Sequence, residues 1–422
     1  MSSQSHVVVL GAGFGGLTFC RDFDHSTVPV TLIDRQNHHL FQPLLYQVAT
    51  AGLSAPDIAQ PIRALVNDHP NVTVLLDDVQ DIRLAEKKII HDGGELNYSH
   101  LVIALGGVTS YFGHPEWARY APGLKSLNDA VRIRRDVLLA YEKAEITSDP
   151  EERKRLLTTV VIGGGPTGVE LAGAFSELAH HVLKRDFRRI DPTHARVILV
   201  ESSNEILSNL PPRLRRSALA TLEKLGVEVL LNHRVTNITE GTVYFENQEI
   251  HAANIIWGAG VSANPLTKKL GVEIDRAGRI KVLPDLSLPG FPEVFAVGDV
   301  AALVDKNGVT VPGVSPAAMQ MAKHVSGILF DEITRGATAP EKRPAFAYWD
   351  KGTMATIGRS AAVASIGNFQ FTGFPAWVTW LFVHLLFLIG FRNKIVVCIQ
   401  WFYSYITYGR GARLITGLKY RD

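Results

Sequence analysis

Short apolar runs alternate with helical stretches through the first 300 residues of this 422-residue chain. The runs VVVL at 7–10 and VVI at 160–162 hold only apolar residues, which is typical of strands covered on both faces in a parallel sheet. A glycine-rich turn and a stretch with helical spacing of apolar residues follow each run. This order of strand, turn and helix predicts βαβ units.

The chain contains two copies of one pattern. The first copy begins with VVVLGAGFGGLTF and ends with LVIALGG, and the second begins with VVIGGGPTGVELAG and ends with IIWGAGV. In each copy a second strand ends in an acid, Asp34 or Glu201, and short alternating strands typical of a β-meander follow. We therefore predict an α/β fold with two Rossmann-like dinucleotide-binding domains.

A further strand, FPEVFAVGDVAAL, ends in Gly298-Asp299 after the second copy is complete. We expect this strand to return to the first domain, because the first copy needs its last strand. The predicted boundaries are residues 1–125 with 284–330 for the first domain, 126–283 for the second with a linker helix at its start, and 331–422 for a C-terminal region.

The first glycine triplet, G-x-G-x-x-G at Gly11, Gly13 and Gly16, lies where a strand turns into a helix. The glycines allow a tight turn and close approach of a pyrophosphate, whose charge meets free N–H groups and the positive end of the helix dipole. Asp34 ends the next strand, where a carboxylate accepts hydrogen bonds from a ribose. This site is rejoined by the late strand at Gly298-Asp299, and a tightly bound cofactor is enclosed by several segments, so we predict that it holds FAD. The predicted FAD contacts are Gly11, Gly13, Phe14, Gly15, Gly16, Asp34, Arg35, Gly106, Gly298 and Asp299.

The second triplet repeats the pattern and has Glu201 as its acid. No arginine follows Glu201, so a 2′-phosphate would be repelled and would find no adjacent cation, and we predict NADH rather than NADPH. The alternative is that Glu201 only ends a strand. The predicted NADH contacts are Gly163, Gly165, Thr167, Gly168, Glu201 and Gly260.

Glu170 lies in the helix that the second triplet opens. We favour a catalytic role for its carboxylate near the place where nicotinamide and flavin meet. The alternative is structural, because an acid in a first helical turn interacts favourably with the helix dipole.

The tail at 374–408 is apolar and aromatic, and its only full charges are Arg392 and Lys394. Its first run is 18 residues, at the lower edge of the length that spans a bilayer, where about 20 residues are needed. Three interpretations are open: a buried helix pair, one transmembrane span, and an anchor in the membrane interface.

We favour the anchor, because three of the six tryptophans lie here and tryptophan settles at the membrane–water boundary. Basic residues that suit anionic head groups follow at 410, 413, 419 and 421. Only six residues precede the first strand, which leaves no room for a secretory signal. We therefore expect a peripheral protein on the cytoplasmic side of the cell membrane.

Composition excludes several functions. Forty-three basic and 41 acidic residues leave a net charge of +2, so we predict no nucleic-acid partner. The two cysteines, Cys20 and Cys398, are too far apart in sequence for a redox pair, a cysteine zinc site or an iron–sulfur cluster. The 15 histidines show no metal-ligand spacing, and we predict no metal site.

These residues resemble the glutathione reductase-like flavoproteins, and within them the type II NADH:quinone oxidoreductases, single-subunit NADH dehydrogenases that pump no protons. The resemblance covers nearly the whole chain, and its most selective segments are NHHLFQPLLYQVATAGLS, VPGVSPAAMQMAKHV and YWDKGTMATIGRSAAVA. It implies that NADH passes a hydride to FAD and that a membrane quinone then takes two electrons. It also implies that Glu170 lies near the flavin–nicotinamide stack.

One departure from the family concerns its quinone motif, often written A-Q-x-A-x-Q. Gln320 matches the second glutamine, but Pro316 replaces the first and has no side-chain amide. The residues expected at the quinone are Tyr46, Pro316, Gln320 and Lys351, with Glu170 and Gln320 as catalytic residues.

The resemblance leaves related functions open. A sulfide:quinone oxidoreductase is disfavoured, because it needs paired reactive cysteines. A membrane-bound NAD(P)H:quinone reductase of quinone biosynthesis and an NADH-sensing flavoprotein like apoptosis-inducing factor remain alternatives. A homodimer is also left open.

Overall fold

The computed structural model describes residues 5–23, 27–336 and 339–417. The α-helices in these ranges are α1 Phe14–Asp22, α2 Leu45–Ala49, α3 Ile62–Leu65, α4 Leu127–Ile146, α5 Pro150–Leu156, α6 Pro166–Glu177, α7 Pro212–Lys224, α8 Ser315–Arg335, α9 Gly373–Phe387 and α10 Phe391–Thr407. The strands are β1 Val7–Leu10, β2 Val30–Asp34, β3 His38–Leu40, β4 Ala59–Pro61, β5 Val72–Leu76, β6 Val79–Arg83, β7 Lys88–His91, β8 Gly94–Asn97, β9 His100–Ile103, β10 Gly107–Thr109, β11 Thr158–Ile162, β12 Arg196–Val200, β13 Val227–Leu230, β14 Asn237–Thr239, β15 Thr242–Tyr244, β16 Glu249–His251, β17 Asn254–Trp257, β18 Val261–Ala263, β19 Ile280–Lys281, β20 Ser287–Leu288, β21 Phe291–Ala296, β22 Ala301–Ala302, β23 Thr353–Gly358, β24 Ala361–Ile366 and β25 Phe369–Thr372.

The first compact unit combines described residues of 1–40, 59–108 and 261–351 around a six-stranded sheet of order β20-β21-β9-β1-β2-β5. All neighbours in this sheet are parallel except β20 and β21. The four residues of β1 are fully buried, as the uninterrupted apolar run predicts for a central parallel strand. Helices α1 and α8 of the same unit pack against each other.

The second compact unit combines described residues of 41–58, 109–260 and 352–422. Its parallel sheet has the order β13-β12-β11-β17, with β11 again fully buried at the centre. Helix α6 packs on this sheet and also against β23, which belongs to the antiparallel sheet β23-β24-β25. One face of α6 is therefore covered by residues that are far from it in sequence.

Both copies of the repeat fold as predicted. Each has a parallel sheet followed by a three-stranded antiparallel meander, β6-β7-β8 in the first copy and β14-β15-β16 in the second. The late strand β21 pairs with β9 of the first sheet. The α/β fold with two dinucleotide-binding units is confirmed, while the domain boundaries at 125, 283 and 330 stay a prediction.

The apolar tail forms two helices rather than one, with a break at 388–390 where Gly390 has φ 87°. Most of α9 and α10 is not buried, so the tail is not a core helix pair. In the described ranges, no helix combines the length and the apolar character needed to cross a bilayer. The basic residues predicted at 419 and 421 lie outside the described residues.

Candidate functional site

The two glycine turns have the same backbone geometry. Gly11 and Gly163 adopt φ of 94° and 110°, a conformation that favours glycine, and each N–H donates to the neighbouring strand, to Ile33 O at 2.8 Å and to Val200 O at 2.7 Å. A side chain added at Gly13 or at Gly165, the N-cap residues of α1 and α6, would meet no atom within 4 Å. This open space at a helix N-terminus is what a pyrophosphate requires.

The acid of each copy lies against its own glycine turn. Ala12 N donates to Asp34 Oδ2 at 2.6 Å, and Gly164 N donates to Glu201 Oε2 at 2.6 Å. Burial raises the pKa of Asp34 despite the backbone hydrogen bonds that it accepts. Burial acts in the same direction on Glu201, but hydrogen bonds led by those from the amides of Ser203 and Gly164 outweigh it and lower the pKa of Glu201. Each carboxylate keeps acceptor capacity for ribose hydroxyls.

The remaining predicted FAD residues lie in the first unit, around the same sheet. Phe14 begins α1, Gly15 and Gly16 are buried in it, and Arg35 is exposed after β2. Gly106 follows β9, and a side chain added there would also meet no atom within 4 Å. Gly298 and Asp299 follow β21, and a Cβ added to Gly107 would lie 3.0 Å from Asp299 Oδ2, so this carboxylate lies beside the turn after β9.

The fit of this unit to FAD is supported by a residue that sequence analysis missed. His39 is 2% exposed, and its Nδ1 lies 2.9 Å from Ala12 O in the glycine turn. Because a carbonyl only accepts, Nδ1 donates and Nε2 is the acceptor of a neutral ring, whose pKa burial lowers. Nε2 has no hydrogen-bond partner in the described part of the chain, so a hydroxyl donor of a nucleotide would satisfy it.

The other predicted NADH residues lie in the second unit. Thr167 is in the first turn of α6, and Gly168 lies in the same helix directly against Gly163 O, where only a glycine fits. Gly260 has φ 74° and follows β17. These residues share the carboxyl edge of the parallel sheet, where open α/β sheets bind their ligands.

A pocket of about 790 Å³, part of which is open to solvent, lies in the second unit on the far part of α6. Its walls come from α2, α6, the β23–β24 hairpin, α9, α10 and the segment after α10. Its lining residues are Tyr46, Gln47, Thr50, Gly52, Glu170, Ala174, Glu177, Thr356, Ile357, Gly358, Arg359, Trp377, Trp380, Leu381, Trp401, Ser404, Tyr405, Tyr408 and Arg410.

Glu170 lies in the wall of this pocket and not at the helix end. Helix α6 has no acid in its first turn, so the capping interpretation of Glu170 is wrong. Burial raises the pKa of Glu170 to about 8, and a hydrogen bond from the backbone of Thr356 only partly opposes this. At neutral pH the side chain therefore holds a proton.

Aromatic side chains surround Glu170. Burial, followed by the charge of Glu170, raises the pKa of Tyr46 well above its usual value, so its hydroxyl keeps its proton. Trp380 is 1% exposed, makes an edge contact with Tyr46 and stacks on His384. The Nε1–H of Trp380 has no partner among the described residues, and Trp401 Nε1 donates to Gln47 Oε1 at 2.8 Å. The pocket thus offers an aromatic slot with a buried donor and a protonated acid.

The residues predicted at the quinone fall into two groups. Tyr46 lines the pocket. Gln320 lies in α8 of the first unit, where its Nε2 donates to Trp349 O and its Oε1 accepts from Trp349 N, both at 3.0 Å. These two bonds use half of the hydrogen bonds that the side-chain amide of Gln320 can make. A quinone contact for Gln320 stays a prediction.

The other two predicted quinone residues also lie in the first unit. Pro316 is the second residue of α8, where a missing N–H costs no helical hydrogen bond. The ammonium of Lys351 lies 5.4 Å from the centre of the Trp349 ring, and Lys351 is exposed. Roles for both in quinone binding stay predictions.

Sequence comparison identifies the family. Residues 5–322 match the pyridine nucleotide-disulphide oxidoreductase family, and residues 350–410 match the NDH2 C-terminal domain. A type II NADH:quinone oxidoreductase of Mycobacterium tuberculosis, Ndh, is 45% identical over 98% of this chain and 90% of its own length. The chain belongs to the type II NADH:quinone oxidoreductases. A second such enzyme of the same organism, NdhA, is 40% identical over 99% of this chain and 90% of its own length.

Structural comparison agrees with this membership at the level of the fold. The structure of NDH2 from Plasmodium falciparum in complex with NADH superposes with a TM-score of 0.89 at 21% identity, over 97% of this chain and 99% of that one. Membership of the type II NADH:quinone oxidoreductases confirms the predicted family, and with it FAD and NADH as cofactors. The individual site residues, the membrane attachment and the homodimer stay predictions.

Proposed function

We propose that this chain oxidises NADH and reduces a membrane quinone at the pocket lined by Glu170. The single observation that carries the proposal is the position of Glu170 in the wall of an aromatic pocket, in a member of the type II NADH:quinone oxidoreductases. Reduction of a quinone to a quinol takes up two electrons and two protons. The hydride of NADH accounts for both electrons and one of the protons, and the second proton must come from an acid. A half-buried acid with a pKa of about 8, such as Glu170, can deliver it near neutral pH.

In this proposal, two nucleotide sites bind the cofactors and the pocket binds the quinone. The first glycine turn, Asp34 and His39 would hold FAD, and the second turn with Glu201 would hold NADH. When bound, FAD would supply the two-electron redox chemistry between NADH and the quinone. Glu170 holds the proton for a quinone oxygen, and the indole N–H of Trp380 is the donor that a quinone carbonyl would satisfy.

The tail helices attach the protein to a lipid bilayer, and this attachment is part of the proposal. Large apolar side chains, 44% to 79% exposed, recur along one stripe of each helix, at Phe374, Val378, Phe382 and Leu386 of α9 and at Phe391, Ile395, Ile399, Phe402 and Ile406 of α10. Such stripes suit the boundary between head groups and acyl chains, with exposed Arg392 beside them for anionic lipid. We place the protein on the cytoplasmic face of the membrane.

Two half-reactions test the proposal. Detergent-solubilised protein is reduced anaerobically with NADH, and a short-chain quinone is then added while the flavin absorbance is followed. We expect bleaching followed by recovery. In Glu170→Gln, the rate of flavin bleaching by NADH should stay within about two-fold of that of the original protein. The rate of recovery after quinone is added should fall about 100-fold, which is the lower range for loss of an acid catalyst.

The matched control is Glu223→Gln, the same change at an exposed position of α7. It should leave both half-reactions unchanged. Bleaching without recovery in the original protein would refute quinone reduction and favour an NADH-sensing flavoprotein. Normal recovery in Glu170→Gln would refute the proton role alone.

A further inference from the structure

The two acids of the pocket have different partners. Glu170 and Glu177 are seven residues apart on α6, so they lie on the same face two turns apart. Glu177 Oε2 lies 3.1 Å from Arg410 Nη2, and Glu177 Oε1 accepts from the backbone N–H of Arg359. No ion pair of Glu170 exists among the described residues.

Arg410 is held in place on three sides. It follows the last turn of the tail, yet its side chain is only 10% exposed. Its Nη1 donates to Thr50 O at 2.9 Å and to Ala174 O at 3.2 Å, in addition to the ion pair with Glu177. The end of the membrane-attached tail is thereby tied to α6, the helix that carries Glu170.

The described residues that line the pocket include two acids and two arginines. The Arg359 guanidinium lies over the rings of Tyr405 and Tyr408, at 4.3 Å and 4.0 Å. Tyr46 is close enough to respond to the charges of Glu170, Glu177 and Arg410, since the two acids raise its pKa and Arg410 lowers it, after the larger effect of burial. Tyr46 therefore lies within reach of the charges of all three groups.

We propose that Arg410 is a positioning residue for quinone reduction: by neutralising Glu177, it sets the charge balance of the pocket in which Glu170 gives up its proton. This inference rests on the proposed function. An unpaired anion at Glu177 would make ionisation of Glu170 harder, and an unpaired cation at Arg410 would make it easier. Both effects are stronger here than at a fully exposed surface, because the side chains of Glu177 and Arg410 are only 13% and 10% exposed.

The titratable groups that line the pocket beside Glu170 come from every wall except α9. They are Tyr46 from α2, Glu177 from α6, Arg359 from the β23–β24 turn, Tyr405 from α10, and Tyr408 and Arg410 from the segment that follows. The described residues of α9 add no charged group to the lining. The strands β11, β12 and β13 and the helix α7, which also pack against α6, contribute no lining residue in the described ranges.

The test is the pH dependence of the quinone half-reaction, measured with NADH-reduced holoenzyme and a short-chain quinone between about pH 6 and 10. If Glu170 supplies the proton, the rate constant of the original protein falls above about pH 8. Arg410→Gln should move this fall to higher pH, and Glu177→Gln should move it to lower pH, each by about one unit. The double variant should return it to the original position.

Arg410→Lys is the conservative control, because it keeps the charge and should leave the fall close to its original pH. A role in holding the fold would slow the reaction without moving the fall, and unmoved profiles in Arg410→Gln and Glu177→Gln would overturn the inference. If Arg410→Gln loses FAD, Glu177→Gln decides: a shift to lower pH supports the inference and no shift refutes it. If the rate constant of the original protein does not fall with rising pH, the proton role of Glu170 and this inference are both refuted. If only this inference is wrong, the original protein still shows that fall.

Discussion

The two dinucleotide-binding units begin alike and diverge after their first helix. In each, the residue after the first glycine donates a 2.6 Å hydrogen bond to the acid that ends the second strand. Helix α1 ends at Asp22, after nine residues, and packs on α8. Helix α6 runs for 12 residues and carries Glu170 and Glu177 into a pocket that the apolar tail helps to line. In the proposed function, the repeated part binds the nucleotides and the part that differs supplies the proton.

The most direct test of the difference between the two units is a substitution that fills the open space at each glycine turn. Gly13→Val and Gly165→Val both place a side chain in open space that we assign to a phosphate, on backbone that is already extended. We expect Gly13→Val to be purified without FAD. Gly165→Val should retain FAD and raise the KM for NADH about 100-fold, since phosphate contacts at a helix N-terminus are lost. Each variant is the control for the other, and the reverse pattern would exchange the two nucleotide assignments.

The next test concerns the acid of the second copy. Glu201→Arg should shift the ratio of kcat/KM for NADH over NADPH toward NADPH about 100-fold, because a cation replaces an anion beside the 2′ position. Glu246→Arg is the matched control at an exposed turn of the same unit. An unchanged ratio in Glu201→Arg would remove Glu201 from ribose recognition.

The tail is the second feature that only one unit has. Phe382→Glu places a charge in the exposed stripe of α9 and should weaken binding to anionic lipid vesicles about ten-fold in a sedimentation assay. Phe369→Glu makes the same change at a side chain that is 70% exposed on β25, outside the stripe. Equal losses in the two variants would contradict attachment through the stripe.

The last test concerns stability, where the effect is spread over several pH units. The pKa of Glu170 is about 8 in the folded protein and about 4.5 when unfolded, so the folded state binds the extra proton between these values. The free energy of unfolding therefore falls as pH rises through this window, by at most about 1.4 kcal/mol per pH unit from this group. Glu170→Gln removes that contribution, so its stability relative to the original protein should increase from pH 5 to 8 in denaturant titrations. Glu223→Gln should show no such trend, and a parallel course for Glu170→Gln would contradict the buried, protonated acid.

The glycine turns and the acids that contact them were predictable because the sequence signals for them are local. A buried apolar strand, a glycine turn and a strand-ending acid such as Asp34 or Glu201 lie within about 40 residues of each other. Their hydrogen bonds follow from that order. The linker helix α4 was likewise visible as a helical stretch from Leu127.

The pocket was not predictable in the same way, because its walls come from segments between residues 46 and 410. Arg410 follows an apolar tail, where a basic residue usually indicates contact with anionic lipid, and only the fold shows that it is buried against Glu177. Gln320 was expected at the quinone from the family motif, yet its amide holds Trp349. The roles of His39 and Trp380 could not be predicted from the sequence. Only the structure shows that a ring nitrogen of each is buried without a hydrogen-bond partner among the described residues.

The central claim is that Glu170 holds a proton at neutral pH, and infrared difference spectroscopy tests it most directly. Spectra of the oxidised original protein and of Glu170→Gln are compared between about pH 6 and 10. We predict a protonated carboxyl band that is present at pH 7 in the original protein, absent in the variant, and lost with a midpoint near pH 8. A carboxylate band from Glu170 already at pH 7, with no protonated band, would contradict the account.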